Sequence, residues 1–351
     1  MLANALVFLL ALSGCQQTPQ PQSDTAASES KSAAIIHAQS GSTIQVIVQP
    51  SGESNPATIE SAATQPSFAR NFTLRAAPKY SKYKVIQAAF STADRARIDR
   101  NCPLGMPKVD HSFPHGPTRF VIRDGYVLEH STVDKIPLWV AEHVGRAQLA
   151  GNLKRDDKFL PDPKLPKGDR SELKDYAGSG YDRGHQAPAG DQTTDATLKA
   201  ETFYLSNMAP QIPELNRQIW AELEDLCRTW IKDKYGEGFI ITGGFVYDPK
   251  EETNDADGTI SVEHIGPDAV MVPTHFYKIF LAKDNAGKWH AIGFVMPNEG
   301  QPKPHHFADF VQSIDWIQTH TGIEFLPAAD PVEAQNLEKQ PTPITEIGAA
   351  P

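Results

Sequence analysis

Cysteine is scarce: three residues in 351, far too few to staple a disulfide scaffold. Long apolar runs are scarce too. The only extended one is Leu2 to Leu12, interrupted by Asn4, and a bilayer span needs about 20 apolar residues. A polytopic membrane protein is therefore excluded. Excess positive charge is also missing, the net charge being -10. Residues 1–67 and 328–351 each carry -3, which leaves the middle nearly balanced at -4. No broad basic field supports tight, salt-driven retention of nucleic acid, although a small local basic site fits this balance. Several reaction motifs are absent as well: GxxxxGK[ST], HExxH, a CxxC pair and GxSxG. P-loop hydrolysis, zincin proteolysis and serine-esterase chemistry thus have no support. The histidines lack ligand spacing, and the adjacent pair His305-His306 reads as surface.

What is present begins with a short apolar segment closing on Leu12-Ser13-Gly14-Cys15. This resembles the lipobox of bacterial lipoproteins and implies a signal segment over 1–15 with lipid on Cys15; the alternative is an ordinary signal peptide. That resemblance implies a lipid-anchored protein of the bacterial cell envelope, with Gln16 leaning toward the outer membrane. A Gln/Pro/Ser/Thr-rich stretch follows, and 16–75 reads as a low-complexity tether unable to offset its own chain entropy. Ile44 to Val48 has the pattern of a short strand. The folded body is expected over 76–327, with a disordered tail over 328–351.

Within the body, Phe120-Val121-Ile122 and Tyr126-Val127-Leu128 flank Asp124-Gly125, the signature of a tight hairpin. Further strands are expected at 138–140, 203–205, 239–246, 270–272, 276–281 and 289–296. From Leu215 to Trp230 the pattern turns helical, with Ile219, Trp220, Leu223, Cys227 and Trp230 on one face. A second helix is expected over Phe307 to Thr319, ended near Gly322. Residues 151–181 read as a long polar loop, a kind more often functional than decorative. Clustered strands with few helices indicate an α+β fold with a largely antiparallel sheet. Cys102 and Cys227 either pair or stay as free thiols.

The densest chemistry lies in Tyr181-Asp182-Arg183-Gly184-His185-Gln186-Ala187-Pro188-Ala189-Gly190-Asp191. A lone histidine in such a loop is more often structural than catalytic, but a second cluster changes that weighing. It runs Thr202-Phe203-Tyr204-Leu205-Ser206-Asn207-Met208-Ala209-Pro210-Gln211, then Leu215-Asn216-Arg217, then Trp220 to Arg228. DRGH with SNMAPQ, LNR, WAELE and a trailing arginine, in that order, resembles the DNA/RNA non-specific endonuclease family, which includes endonuclease G. The likeness covers residues 80–326.

The resemblance implies a ββα-metal (His-Me finger) nuclease fold with a central antiparallel sheet flanked by helices. It implies a Mg2+-dependent hydrolase, with Mn2+ as substitute, that cuts DNA and RNA to 5′-phosphate ends. His185 matches the general base, because neutral imidazole near pH 7 can take a proton from water. Asn216 matches the direct metal ligand, since an amide oxygen with water in the other positions suits a hard cation. Glu224 matches the carboxylate that holds metal-bound water. Arg155 and Arg228 resemble phosphate-clamping arginines, gripping two oxygens at once. The alternatives are a loop salt bridge from Arg155 to Asp156 or Asp157, and an ordinary surface pair for Glu224 and Arg228. Arg183 either reaches the substrate or pins the loop. Asp182 and Asn207 position the site, and Gly184 permits a turn that a side chain would forbid. The implied partners are DNA and RNA, the membrane through lipidated Cys15, and a second copy in a homodimer. Two other readings share these residues: a catalytically silent envelope protein that binds nucleic acid or protein, and a hydrolase of another phosphodiester.

Overall fold

A computed structural model describes residues 71–76, 89–110, 116–249 and 259–343. The segment closing on Cys15, most of the tether and the strand expected at 44–48 lie outside the described residues. Among those described, no helix is long and apolar enough to cross a membrane.

The strands are β1 (Asn71–Ala76), β2 (Lys108–Val109), β3 (Thr118–Ile122), β4 (Val127–Ser131), β5 (Pro137–Gly145), β6 (Asp182–His185), β7 (Met208–Gln211), β8 (Glu237–Phe245), β9 (Thr259–Ile265), β10 (Val270–Met271), β11 (His275–Lys283), β12 (Trp289–Pro297), β13 (Val311–Gln312) and β14 (Ile323–Glu324). The helices are α1 (Thr92–Asn101), α2 (Arg146–Leu149), α3 (Leu173–Tyr176), α4 (Ala196–Glu201), α5 (Trp220–Trp230), α6 (Ile314–Thr321) and α7 (Pro331–Lys339). Seven strands form one antiparallel sheet in the order β13-β12-β11-β8-β5-β4-β3. The β3–β4 hairpin turns at Asp124-Gly125, where Arg123 N–H bonds Tyr126 O at 2.9 Å. β6 and β7 pair with each other outside this sheet. The architecture is α+β: a central antiparallel sheet flanked by helices.

Strand alternation assigns the two faces of the sheet. In β11, Phe276, Phe280 and Ala282 enter the core beneath α5, whereas Tyr277, Ile279 and Leu281 enter the core under α1, α6 and α7. Trp220, Leu223, Cys227 and Trp230 are all at most 1 % exposed, so the predicted helix face is the buried one. Burying each such side chain contributes about 1.5–3 kcal/mol. Cys227 belongs to the α5 core and Cys102 to the opposite one. Both are free thiols, kept apart by the sheet.

Five expectations need correction. Phe203 to Leu205 forms no strand. It makes a turn, because the Asn207 amide bonds Thr202 O and Ala187 O (both 2.9 Å), and the strand starts only at Met208. The helix expected from Phe307 is broken in two: β13 pairs with β12, and Ser313 caps a fresh helix by accepting from Trp316 N. The C-terminal stretch read as disordered contains α7. Asp330 caps it, Pro331 occupies its first turn, and Leu337 is buried against the core. His305 is not a surface residue, since its side chain is 3 % exposed and bonds Glu222 at 2.7 Å. Finally, β1 begins at Asn71, inside the stretch read as tether, and pairs with β9.

Candidate active site

β6 carries DRGH, and its register against β7 places His185 opposite Met208 and Asp182 opposite Gln211. The sequence permits this pairing because residue 184 is glycine. A Cβ there would lie 2.0 Å from Gln211 Oε1. The role expected for Gly184 is therefore corrected: it supplies space in an extended strand, not an unusual turn. Asn207 is fully buried and lies behind the site. Its carboxamide accepts from Ala187 N and donates to Ala187 O, which fixes the loop leaving His185.

From β7 the chain enters a π-helical turn, Leu215–Ile219, before α5. Gln218, at φ -122° and ψ -107°, breaks the helix there. Asn216 on that turn and Glu224 and Arg228 on α5 leave the apolar face and converge with His185. Together with Arg155, Arg183 and Arg217 they line one pocket of about 640 Å³. Two strands and a helix thus meet at a single cavity.

Asp182 organises one wall. It accepts from Asn216 Nδ2 at 2.9 Å and takes two bonds from Arg217, at 2.6 and 2.8 Å. Burial opposes its ionisation, but the bonds from Arg217 and Asn216 outweigh it and hold the carboxyl below its usual range. Arg217 was named in sequence only as the neighbour of Asn216; its place in the pocket follows from this fork. His185 sits between the rings of Phe159 and Phe203, at 5.6 and 5.0 Å. Burial first, then the Arg155 cation, push its pKa down to about 3, so the imidazole is neutral across the physiological range. Arg155 pairs with Asp157 and still lines the pocket, so the loop bridge and the pocket position coexist. Arg183 stacks over Phe159 at 4.3 Å, and its Nε is buried without a partner.

Arg228 is not half of a surface pair. Its side chain is 14 % exposed and bonds Asp191 at 2.7 Å and Asp225 at 2.8 Å, with Glu224 at 3.9 Å. Gly190 makes room for it, because a Cβ there would lie 2.9 Å from Arg228 Nη1. Deeper in, Lys278 is 1 % exposed in the middle of β11, bonds Thr242 Oγ1 at 2.8 Å and lies over Trp220. Glu142 on β5 is 1 % exposed, with no donor to either oxygen. Burial pushes Glu142 well above the carboxylate range, and Asp191 adds to that. Burial also lifts Glu224 to about 7, against the pull of Lys278 and Arg228. Of this inner cluster, Lys278 and Glu142 were not singled out from sequence, and Asp191 was read only as the end of the DRGH stretch.

The donors suit a divalent cation held mainly by water. Asn216 spends its Nδ2 on Asp182, which leaves Oδ1 as an acceptor, and Glu224 lines the same cavity. Among the described residues, no group of three or more His, Cys, Asp or Glu is placed to hold a metal. A site built on one amide oxygen does not need such a group.

A family model described as DNA/RNA non-specific endonuclease matches residues 109–331. The chain belongs to this family. The match spans β6, β7 and α5 with every pocket residue named above. Among relatives, the chain is 37 % identical to the mitochondrial nuclease EXOG of Danio rerio, over 60 % of this chain and 62 % of that protein. It is 38 % identical to the mitochondrial nuclease of Saccharomyces cerevisiae, over 62 % and 68 %, and 35 % identical to nuclease C1 of Cunninghamella echinulata, over 60 % and 84 %. The chain thus spans just under two thirds of the Danio rerio relative. A chain in the crystal structure of the EndoG/EndoGI complex superposes with a TM-score of 0.60 at 31 % identity, covering 70 % of this chain and 95 % of that one.

Proposed function

We propose that this member of the DNA/RNA non-specific endonuclease family is a Mg2+-dependent nuclease that hydrolyses DNA and RNA to 5′-phosphate ends. The observation that carries the reading is the convergence of a neutral imidazole, an amide oxygen, a carboxylate and four arginines on one pocket. His185 accepts a proton from the attacking water and passes it to solvent. The water oxygen bonds phosphorus as the P–O3′ bond breaks; the 3′ oxygen takes a proton from solvent water and leaves as a hydroxyl, and the phosphate stays on the 5′ end. An anionic phosphate beside Arg155 and Arg183 offsets the cations that depress His185 and strengthens it as a base. Arg155, Arg183 and Arg228 grip phosphate oxygens as charge develops there. Asn216 Oδ1 and water held by Glu224 would bind Mg2+, which supplies charge neutralisation at the phosphate and the leaving oxygen. Phosphate contacts carry no sequence information, so both sugars are cut with weak base preference, and rising salt suppresses the reaction.

The same proposal places the protein in the bacterial envelope through lipid on Cys15, supported by the apolar run that closes on Leu12-Ser13-Gly14-Cys15. Pairing of two copies, allowed by the family resemblance, is read by sedimentation. The test of activity is plasmid and RNA degradation with and without EDTA, for the native chain and His185→Ala. Cleavage that survives EDTA, or that His185→Ala retains in full, removes the reading. Cys15→Ala should shift the protein from the membrane to the soluble envelope fraction.

A further inference from the structure

Residues 154–160 form a wall with two different sides. Arg155, Asp157 and Phe159 face the pocket described above, whereas Lys154, Lys158 and Leu160 face a separate cleft of about 230 Å³. Alternation of this kind is what an extended segment produces. The wall is anchored at both ends. Leu153 O accepts from Lys199 Nζ at 2.8 Å, and Leu160 exchanges backbone bonds with Phe203 and Leu205, at 3.2 and 2.9 Å. Phe203 links the two cavities, since it packs edge-on against His185 and also lines the cleft.

The chemistry of this cleft is mixed in a particular way. Its floor is apolar, made by Phe203, Tyr204 and Leu160, and Leu160 is 45 % exposed, one of few large apolar side chains so open among the described residues. Its rim is cationic, with three lysines against the single carboxylate of Asp156, in a chain of net charge -10. Lys199 is committed to the wall. The Lys154 and Lys158 ammonium groups are exposed and show no ion pair among the described residues. An apolar slot rimmed by uncommitted cations, one wall away from a phosphate pocket, matches a nucleoside followed by its phosphate.

We infer that this cleft is a nucleotide subsite, which receives the unpaired base next to the scissile phosphate on its apolar floor and the following phosphate on Lys154 and Lys158. The inference rests on the nuclease reading and refines it. A base can enter the slot only when it has left the duplex stack, so the subsite favours single strands. Base stacking tolerates sequence because every base has an apolar face, so the cleft adds affinity without a consensus.

Fluorescence anisotropy with a labelled single-stranded oligonucleotide and its duplex, in EDTA, tests the cleft independently of turnover. Leu160→Asp should weaken single-strand binding by about tenfold and duplex binding by less than about twofold. Lys154→Glu with Lys158→Glu should weaken both and flatten the dependence of log affinity on log salt by about 0.7 for each phosphate of the single strand that is no longer neutralised. All three side chains are exposed, so folding is not at stake. Native affinity and native salt slope in these variants, beside normal plasmid cleavage by the native chain, would sink the cleft and leave the nuclease reading standing. Weakened binding in the variants with no cleavage by the native chain would support the cleft as a nucleotide site and sink the catalytic reading. Absence of single-strand binding by the native chain overturns the cleft, and overturns the nuclease reading as well only when the native chain also fails to cleave in Mg2+.

Discussion

The two faces of the central sheet solve one burial problem in different ways. Under α1, α6 and α7 the core is mostly apolar and its polar groups are bonded: Tyr277 Oη donates to Leu138 O at 2.8 Å and packs on Phe325, and the Glu129 carboxyl accepts from Thr118 Oγ1 and Trp139 Nε1. One residue along the same strand, Lys278 puts an ammonium into the opposite face, where Glu142, Asp191, Glu224 and Arg228 add four more ionisable groups. Burying charges costs several kcal/mol per ion unless they are paired. The α5 face carries most of that cost, clustered where the pocket opens, whereas the other face buries the single carboxyl of Glu129, which burial pushes above its usual range. Both faces bury large apolar cores, but the chemistry is gathered on one.

The largest effect that would test this division is on turnover. His185→Ala should lower phosphodiester cleavage by about two to four orders of magnitude, the usual worth of a positioned base. Tyr277→Phe, on the opposite face, should leave cleavage unchanged. Plasmid assays with circular dichroism as the folding control read both, and equal loss in the two variants would erase the distinction.

Next in size is the charge cluster. Lys278→Met leaves three carboxyls facing Arg228 alone and should cost about 3–5 kcal/mol. Tyr277→Phe removes one hydrogen bond and should cost only about 0.5–1.5 kcal/mol. Adding Glu142→Gln to Lys278→Met should recover part of the loss by removing a surplus carboxyl. Guanidinium unfolding measures all three, and a Lys278→Met no worse than Tyr277→Phe would show that the cluster is not charge-balanced.

Acid should affect both faces alike. Burial lowers His185 to about 3 and His275 and His130 to about 4, from 6.5 when unfolded. Below 6.5 the unfolded chain therefore binds more protons than the folded one, and stability falls as pH drops from about 6.5 toward about 4. His185→Ala should make that decline shallower in pH-dependent unfolding, and an unchanged slope would contradict a neutral buried imidazole at 185. The smallest expected effect is none: Cys102 and Cys227, on opposite faces, should both react with a thiol reagent after unfolding under oxidising conditions. A recovered Cys102–Cys227 disulfide would break the assignment of faces.

Much of this was legible in the sequence. The apolar face of α5 was readable because helical periodicity records burial locally, and the hairpin at Asp124-Gly125 was readable from its turn. His185, Asn216, Glu224 and Arg228 stood out because DRGH, LNR and WAELE follow one another within a short stretch. Arg217 was visible as a letter of a motif, yet its contribution depends on the fork to Asp182 across 35 positions. The broken helix after Phe307 and the ordered α7 were not read, although Ser313 and Asp330 are both capping residues.

By itself the sequence determined the elements whose partners are near in the chain: the hairpin at Asp124-Gly125 and the amphipathic face of α5. Only the tertiary structure decided that Glu142 and Lys278 share one face, because they meet through the registers of β5, β8 and β11. It alone decided that Gly184 is needed for space beside Gln211, and that residues 154–160 divide two cavities. The reason is the same in each case. Hydrophobic periodicity encodes which side of an element is buried, but the position of a buried charge depends on which distant strands lie beside it, and no local pattern records that pairing.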